Sequence, residues 1–571
     1  MRHTLRRWFN RKTLGKDLMA GLVLGAESVP DGLASGLLAG VNPLAGLYGY
    51  LYGMVGAALF TSSTFMAVQA TGAMSLVIAD ADLAARPDPD RALFTLAVLT
   101  GVAMIVAGLL GGGRLVRFVP TAVMTGFITA VGLNIVLGQL PNLTGYDARG
   151  ANRIVRTVDL LVHIGQWSVP AVIVGAVTIL TIVVLQPTPV GGLGLVVAVV
   201  LGSVVAVLLN LWVQAQVTVL GDSVTVPAGL PGPVLPSLGD VPTLIIPAIS
   251  LAFVGLVQGA GVSAGIPTAD GKPADASRDF IGQGVGNIVS GVFRGMPVGG
   301  SMSASALLVS AGARTRLSLL ISGAVMALVI LLASVPVAHT AMPALAGLLI
   351  VVGVTSIRPA RIAAVVKGGA LQTAIMAVTF ILTLLIPLQF AVLVGVGLGI
   401  VLFVAQQSTR VRVRQVIIDA RGRMRESDPP AEIPGRSVVI LRPYGSLFFA
   451  SAPLFEQQVP AVTARSAGSV VIIRLRGAEQ LDLALVEVLR RLAASLAAVG
   501  SSLKLVVSEP EVQLQIVASG LADELGAQNI YKGDEWVGRA VRRANRDALA
   551  AVGALGERGA PGENGAQGEN G

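Results

Sequence analysis

The chain has 571 residues, 53% of them hydrophobic and only 13% charged; soluble domains average about 25% charged, so most of this chain does not face water. A net charge of +9 would suit a soluble nucleic-acid binder, but here Lys and Arg gather at the ends of apolar runs, as membrane orientation requires, and nucleic acid is excluded as a partner. The lack of cysteine rules out disulfides and thiolate metal sites, and His3, His163 and His339 are too scattered for a metal cluster.

Residues 1–17 form a basic arm with Arg2, Arg6, Arg7, Arg11, Lys12 and Lys16. It precedes a full-length span rather than a cleavable leader, and predicts a cytoplasmic N-terminus. The first span runs from Leu18 to Ala39 and carries Glu27 and Asp31, four apart and so on one helix face. Residues 32–79 contain no charged side chain; Asn42-Pro43 breaks this run, and a Gly-rich second span ends near Phe60. Then comes Thr61 to Ser75, TSSTFMAVQATGAMS, dense in hydroxyls and an amide: Thr61, Ser62, Ser63, Thr64, Gln69, Thr71 and Ser75. Polar groups at lipid depth are costly unless they face protein or a water-filled cavity. The apolar run continues through Leu76, Val77 and Ile78. A helix starting there turns its N–H groups and partial positive charge toward what lies before it. Several transporters hold an anion this way. The plainer alternative is a small-residue packing face, as in Gly32-x-x-x-Gly36-x-x-x-Gly40.

Asp80 to Arg91, with four Asp and two Arg, reads as an outside loop. Ala92 to Leu110 spans back, Arg114 and Arg117 mark a cytoplasmic turn, and Pro120 to Leu140 is the fifth span. Residues 160–221 hold further spans broken at Pro187-Thr188-Pro189, before an external loop from Val217 to Val241. From Pro242 the pattern begins again: an apolar span, a polar loop from Asp270 to Asp279, and a Gly-studded helix from Phe280 to Val292. A second interrupted stretch follows, Gly295 to Ser305 (GMPVGGSMSAS), with Ser301, Ser303 and Ser305 ahead of apolar Leu307 to Val309. Two interrupted segments in corresponding halves are the best sequence pointer to a transporter site. At roughly 20 apolar residues per span, the charge-free runs hold about twelve to fourteen spans. In a fourteen-span count Arg314, Arg316, Arg358, Arg361, Lys367, Arg410, Arg412 and Arg414 fall inside, whereas Arg149, Arg153 and Arg156 fall on the wrong side.

The transport region therefore covers 18–409, followed by a linker over 410–435. Short β-type runs at Val438 to Leu441, Phe448-Phe449, Val470 to Leu475 and Leu503 to Val507 then alternate with helical spacing at Leu483 to Ala498 and Glu511 to Leu521. That alternation predicts a small α/β domain over 436–543. From Gly553 glycine recurs at every third position with a single proline. This is too short for a collagen triple helix, and residues 544–571 are expected to be a disordered tail.

This order resembles the sulfate permease (SulP) family of anion transporters over nearly the whole chain except the tail. The resemblance is carried by Ala20-Gly21-Leu22 with Pro30, Leu38-Ala39-Gly40-Val41-Asn42-Pro43 and Gly46-Leu47-Tyr48. Further on it is carried by Thr125-Gly126-Phe127 with Gln139-Leu140, Gly282-Gln283-Gly284 with Asn287, and Ser310-Ala311-Gly312-Ala313-Arg314-Thr315. The soluble part looks like the STAS domain that ends these proteins, with Gly445 to Ala450 as its opening strand. The resemblance implies a polytopic α-helical membrane protein of two inverted seven-helix repeats, with a core domain rocking against a gate domain, a homodimer, and a C-terminal α/β STAS domain. It places the anion between the N-termini of the third and tenth helices. Thr71-Gly72-Ala73-Met74-Ser75 is similar to the segment that holds bicarbonate in some members, and implies Thr71 as ligand together with Gln69. Gly300 and Ser301 match the partner segment, with Met302 where those members have a hydroxyl, so Ser301 or Ser303 substitutes.

Three departures from the family pattern stand out. Many relatives have Glu where this chain has Gln258 and Arg where it has Ala304. An unpaired buried charge is strongly unfavourable, so the joint loss is self-consistent. Asp31 stands where relatives commonly have Gln, with Glu27 one turn earlier, and an intramembrane acid is a functional site by default. The expected function is a secondary active transporter of sulfate, bicarbonate or a dicarboxylate across the plasma membrane, with Asp31 and Glu27 coupling it to protons and both termini in the cytoplasm. An anion channel or exchanger and a sodium-coupled bicarbonate symporter remain the alternatives. No nucleophile–base pair, metal spacing or phosphate loop points to an enzyme, and no cofactor is expected beyond a coupling proton or sodium. The STAS domain offers a surface for a cytoplasmic protein partner; Asp482, followed by Leu483, Ala484 and Leu485, brings no phosphorylatable hydroxyl there and reads as a helix cap.

Overall fold

A computed structural model describes residues 13–113, 120–150, 152–188, 191–266, 268, 271, 274–386, 388–409, 411–419, 421–475, 481–533 and 538–558. The basic arm up to residue 12, Arg114, Arg117, Pro189, Asp270, Arg410 and the tail beyond 558 lie outside the described residues. The chain divides into two units, residues 1–399 and 400–571.

The first unit is helical. It begins with α1 (Leu14–Leu38), which meets α2 (Pro43–Tyr48), a π-helical turn at Gly49–Gly53 and α3 (Met54–Ala58). The short strand β1 (Ala67–Gln69) then leads into α4 (Gly72–Ala79). Next come α5 (Pro89–Leu109), α6 (Thr121–Thr144), α7 (Arg153–Val162), α8 (Val169–Leu185) and α9 (Gly194–Val213). The same kind of sequence follows in α10 (Val241–Gly265), α11 (Ala276–Val292), β2 (Gly299–Ser301) and α12 (Met302–Ser310). Then come α13 (Leu317–Leu332), α14 (Met342–Ser356), α15 (Pro359–Lys367) and α16 (Ala370–Leu385), and α17 (Leu388–Ser408) crosses the boundary at residue 399. Helix starts follow local chemistry: Asn42, Asp88, Asn152 and Ser168 each cap the first turn, with Pro43, Pro89 and Pro170 at positions that need no N–H.

Among the described residues five helices are long and apolar enough to cross a membrane, and α8, α13 and α16 are shorter apolar helices. Others the sequence counts as spans fall short because they are broken, as at β1–α4 and β2–α12, or carry acids, as in α1. Leu109, Leu180, Trp212 and Leu332 stand exposed on α5, α8, α9 and α13, as lipid-facing side chains do. Packing sorts the helices into two groups. In one, α5 packs on α11 and α10, and α1 on α13; in the other, α6 packs on α14 and α16, and α8 on α9 and α14. Glycine sets the closest approaches: a Cβ at Gly101 would lie 2.5 Å from the Gly284 carbonyl, and one at Gly132 2.6 Å from that of Gly353.

Two boundaries differ from the sequence reading because acids expected in water are buried. Helix α1 begins at Leu14, and Asp17, read as part of the arm, accepts from the Arg314 and Thr315 amides at 2.7 and 2.8 Å and from Thr315 Oγ1 at 2.9 Å. Helix α11 begins at Ala276 and takes in Asp279, read as loop. Arg153, which counted against the span number, pairs with Asp80 at 2.7 Å, so its charge is neutralised locally.

The second unit is a six-stranded sheet in the order β4-β3-β5-β6-β7-β8, formed by β3 (Arg412–Ile418), β4 (Met424–Ser427), β5 (Val438–Tyr444), β6 (Val470–Leu475), β7 (Ser502–Val507) and β8 (Ile530–Lys532). Strands β5 to β8 are parallel, while β3 pairs antiparallel with both β4 and β5. Every residue of β6 is buried, the mark of a strand covered on both faces. On one face Val471, Ile473 and Leu475 share a core with Leu485 and Leu489 of α18 (Leu483–Ala498). Asp482 caps that helix, accepting from the Ala484 amide at 3.0 Å.

On the other face Val470 and Ile472 meet Val541, Ala544 and Ala548 of α19 (Arg539–Arg558). Residues 544–558 are therefore helix rather than disordered tail, because β6 needs a second covering layer. The expected linker is likewise corrected: residues 412–418 are a strand, with Val413 in the core on one face of the sheet and Val416 in the core on the other, and 424–427 pairs with it. Phe448-Phe449 is not a strand; the chain turns there after Gly445 at φ +94°, and Phe449 is exposed.

Candidate functional site

The two interrupted segments meet. Strands β1 and β2 pair antiparallel, with Ala67 opposite Ser301, Val68 opposite Gly300 and Gln69 opposite Gly299. Because the strands run in opposite directions, α4 and α12 leave the ladder in opposite directions, and both N-terminal ends sit at it. Each begins on a hydroxyl cap. Thr71 Oγ1 accepts from the Met74 amide at 3.4 Å, and Ser301 Oγ from the Ala304 amide at 3.3 Å. One cap leaves other first-turn N–H groups without an intrahelical partner, and two helix ends bring partial positive charge to one place. Residues 32–79 and 295–313, which hold both segments, contain no lysine or arginine.

The sequence-predicted residues gather here, with differing roles. Thr71 Oγ1 donates to Gln258 Oε1 at 2.7 Å, so the residue at the missing glutamate's position touches the α4 cap. Ser301 Oγ lies 3.2 Å from Ser303 Oγ, and Ser303 is exposed. Ala304 is buried in the first turn of α12. Two other expected ligands also make contacts within the protein. Gln69 is buried and its Nε2 donates to Ser28 Oγ at 2.6 Å. The Gly300 N–H goes to Gln283 Oε1 at 2.9 Å. Gly300 contributes by lacking a side chain, since a Cβ there would lie 2.8 Å from Gly259 Cα.

Of the two acids on α1, Asp31 is partly buried with Oδ2 2.7 Å from Tyr50 Oη, while Glu27 is buried and its Oε2 has no hydrogen-bond partner among the described residues. Tyr50, in the π-helical turn and fully buried, also reaches the Ala70 carbonyl at 2.8 Å and Ser35 Oγ at 3.0 Å. Sequence reasoning did not single out Tyr50. Its signal was the pair Gly49 and Gly53 bracketing it, which lets the widened turn pack on Met296 and Val298.

Helix α11 builds the frame under the ladder. Asn287 Nδ2 donates to the Val298 carbonyl at 2.7 Å, and its Oδ1 accepts from the Val298 amide at 2.9 Å. Gln283, one turn earlier, holds Gly300. Asp279, a further turn back, accepts from the Ser62 and Ser63 amides at 2.5 and 2.7 Å, from Ser263 Oγ at 2.6 Å and from the Ser63 hydroxyl. Across the ladder Ser305 Oγ accepts from the Ala67 amide at 2.9 Å and donates to the Ser301 carbonyl at 2.6 Å. Strands of three residues cannot hold themselves, and these side chains satisfy the backbone groups that so short a ladder leaves over. The i, i+4 spacing of Asp279, Gln283 and Asn287 was the sequence signal for this frame.

The profile of the sulfate permease family matches residues 14–379, and that of the STAS domain matches residues 429–533. The chain is similar to the putative sulfate transporter YbaR of Bacillus subtilis, at 28% identity over 417 residues covering 70% of this chain and 79% of that protein. It is also similar to the bicarbonate transporter BicA of Picosynechococcus sp., at 29% identity over 411 residues covering 69% of this chain and 70% of that protein. Its fold is similar to that of the murine Slc26a9 anion transporter in the inward-facing state, with a TM-score of 0.83 at 19% identity covering 96% of this chain and 93% of that one.

Proposed function

The chain belongs to the sulfate permease family, and from that membership we propose that it is a secondary active transporter carrying a small anion together with protons. At the coarser level it is a multi-pass membrane anion transporter with a C-terminal STAS domain, and not an enzyme. The observation that carries the proposal is the β1–β2 ladder, where α4 and α12 begin back to back on Thr71 and Ser301. The anion sits between those helix ends, held by the hydroxyls of Ser301 and Ser303, by first-turn N–H groups, and by the Thr71 hydroxyl once its hydrogen turns from Gln258 to the anion. Sulfate, bicarbonate and a small dicarboxylate all fit a site that offers hydroxyls, amides and helix ends rather than a fixed cation.

Coupling falls to Asp31, with Glu27 one turn away. A carboxylate beside the site repels an arriving anion, and a proton removes that repulsion, so proton and anion enter together. Gln258 has no proton to exchange. Transport proceeds by the α1–α5 and α10–α13 group moving against the other helices, with the two broken segments occupying matching places in two inverted repeats. The working unit is a homodimer in the plasma membrane with both termini cytoplasmic; a reporter fused at each end reads out that orientation.

Purified protein in liposomes, offered labelled sulfate, bicarbonate and succinate, tests the reading. An inward proton gradient should drive saturable accumulation in the wild type. Asp31→Asn should abolish accumulation yet retain exchange, because Asn stands in for the protonated acid. Accumulation that survives the substitution removes Asp31 from the mechanism. Uptake driven by sodium at symmetric pH, with oxygens of Glu27, Asp31 and Gln258 as ligands, transfers coupling to that ion. Unsaturable flux makes the protein a channel.

A further inference from the structure

Tyr50 is shared among three partners and has one hydrogen to give. Its Oη lies 2.7 Å from Asp31 Oδ2, 2.8 Å from the Ala70 carbonyl oxygen and 3.0 Å from Ser35 Oγ. A carbonyl only accepts, a serine hydroxyl donates or accepts, and a carboxyl donates only when protonated. With Asp31 ionised, the phenol hydrogen goes to the carboxylate, because a charge-assisted bond is roughly twice as strong as a neutral one. The Ala70 carbonyl then faces a lone pair. With Asp31 protonated, Asp31 donates to Tyr50, Tyr50 donates to Ala70, and every short distance is satisfied at once. Ala70 immediately precedes Thr71, the cap of α4 and a proposed anion ligand.

We infer that Tyr50 is a positioning residue that reads the protonation of Asp31 and fixes the peptide before Thr71 accordingly. This inference rests on the proton-coupled reading and gives it a physical path. A proton on Asp31 both removes a negative charge and frees the phenol hydrogen to hold the end of the anion-binding helix. The surroundings leave few competitors. Glu27 shares the helix with Asp31, Tyr48 comes from α2, and Tyr50 and Tyr52 come from the π-helical turn. The segments of α4, α6, α9, α12, α13 and α14 that pack on α1 contain no acidic, basic, histidine or tyrosine residue. Asp17, at the far end of α1, is occupied by the Arg314 and Thr315 amides.

The test is the pH profile of apparent affinity. Counterflow of labelled sulfate, bicarbonate and succinate is measured with the full protein in liposomes at symmetric pH 5.5, 6.5 and 7.5. For the anion carried, wild-type affinity should weaken by at least about threefold from the lowest to the highest of these, one net hydrogen bond adding to the repulsion by the Asp31 charge. Tyr50→Phe keeps the buried ring and loses the hydrogen; it should bind more weakly than the wild type at pH 5.5 and lose affinity less steeply as pH rises, because only the effect of the Asp31 charge is left. Ser35→Ala leaves the phenol hydrogen in place and should retain the wild-type profile. Asp31→Asn donates permanently to Tyr50, so it should keep the low-pH affinity throughout; when the two substitutions are combined it should weaken to the value of Tyr50→Phe at pH 5.5. The Asn arm decides the matter if Tyr50→Phe alone fails to fold: affinity at pH 7.5 below that of the wild type at pH 5.5 overturns the relay. A responsive wild type with an equally responsive Tyr50→Phe variant overturns the relay alone. A wild type indifferent to pH overturns the coupling reading and the relay with it.

Discussion

Thr71 and Ser301 each cap their own helix by accepting one backbone N–H, and in the proposed site the same hydroxyls meet the anion. Substituting Thr71→Val or Ser301→Ala removes the polar contact and leaves the helix ends in place. A hydrogen bond to a charged group is worth about 1.5–3 kcal/mol, so each variant should bind its anion roughly ten- to hundredfold more weakly while its elution and melting change little. Unchanged apparent affinity in both would move the anion away from these half-helices. Gly300 gives its one N–H to Gln283, and Gln69 gives one of its two amide hydrogens to Ser28.

Among the elements, the broken segments are held by α11 rather than by their own pairing. Asp279 gathers the loop before β1 through the Ser62 and Ser63 amides. Replacing it with Asn turns an acceptor of several bonds into a group that must oppose some of those donors. Asp279→Asn should therefore cost about 3 kcal/mol, read as an earlier unfolding transition in detergent, and should slow transport although the residue lies off the anion site. In the second unit α19 is fastened by Tyr531, whose hydroxyl donates to Asp547 Oδ2 at 3.0 Å. Burial, and then the Asp547 carboxylate, push the Tyr531 phenol up to about 12, against about 10 when exposed. The unfolded chain then loses this proton first as pH rises. The stability tied to the native, protonated phenol is complete below pH about 10 and declines toward pH 12. Proteolysis of α19 should accelerate over that interval in the wild type, and Tyr531→Phe should flatten the rise; an equal rise in both would disconnect the phenol from the helix.

At the scale of the molecule, the proposed alternating access requires the two helix groups to part. The Arg153–Asp80 pair at 2.7 Å joins them, since Asp80 ends α4 in one group and Arg153 opens α7, which follows α6 of the other. The native chain has no cysteine, so Asp80→Cys with Arg153→Cys gives a clean pair for a short, cleavable bis-thiol cross-linker. Cross-linking should arrest uptake and cleavage should restore it. Transport that continues while cross-linked would show that the groups need not separate at this point.

Much was legible in the amino-acid order itself. Charge-free runs mark the membrane region because charge at lipid depth is costly. The hydroxyl-rich breaks mark both half-helices because polar backbone there needs a reason. Alternating β-type and helical runs mark the soluble domain. The sequence also carries the family, through motifs such as Gly282-Gln283-Gly284 with Asn287. What it could not fix is which polar groups meet. Asp17 and Asp279 looked like solvated ends because their partners lie 297 and 217 residues away, in Arg314 and Ser62. The strands at 412–418 and 424–427 looked like linker, and α19 like tail, because the pairing and the second covered face of β6 that require them exist only in the folded sheet. Tyr50 looked like one more core aromatic until folding set its single hydrogen between Asp31 and Ala70. Composition and spacing report the cost of placing a residue in lipid or water, whereas hydrogen-bond partners are chosen by close approach, which tertiary structure alone decides.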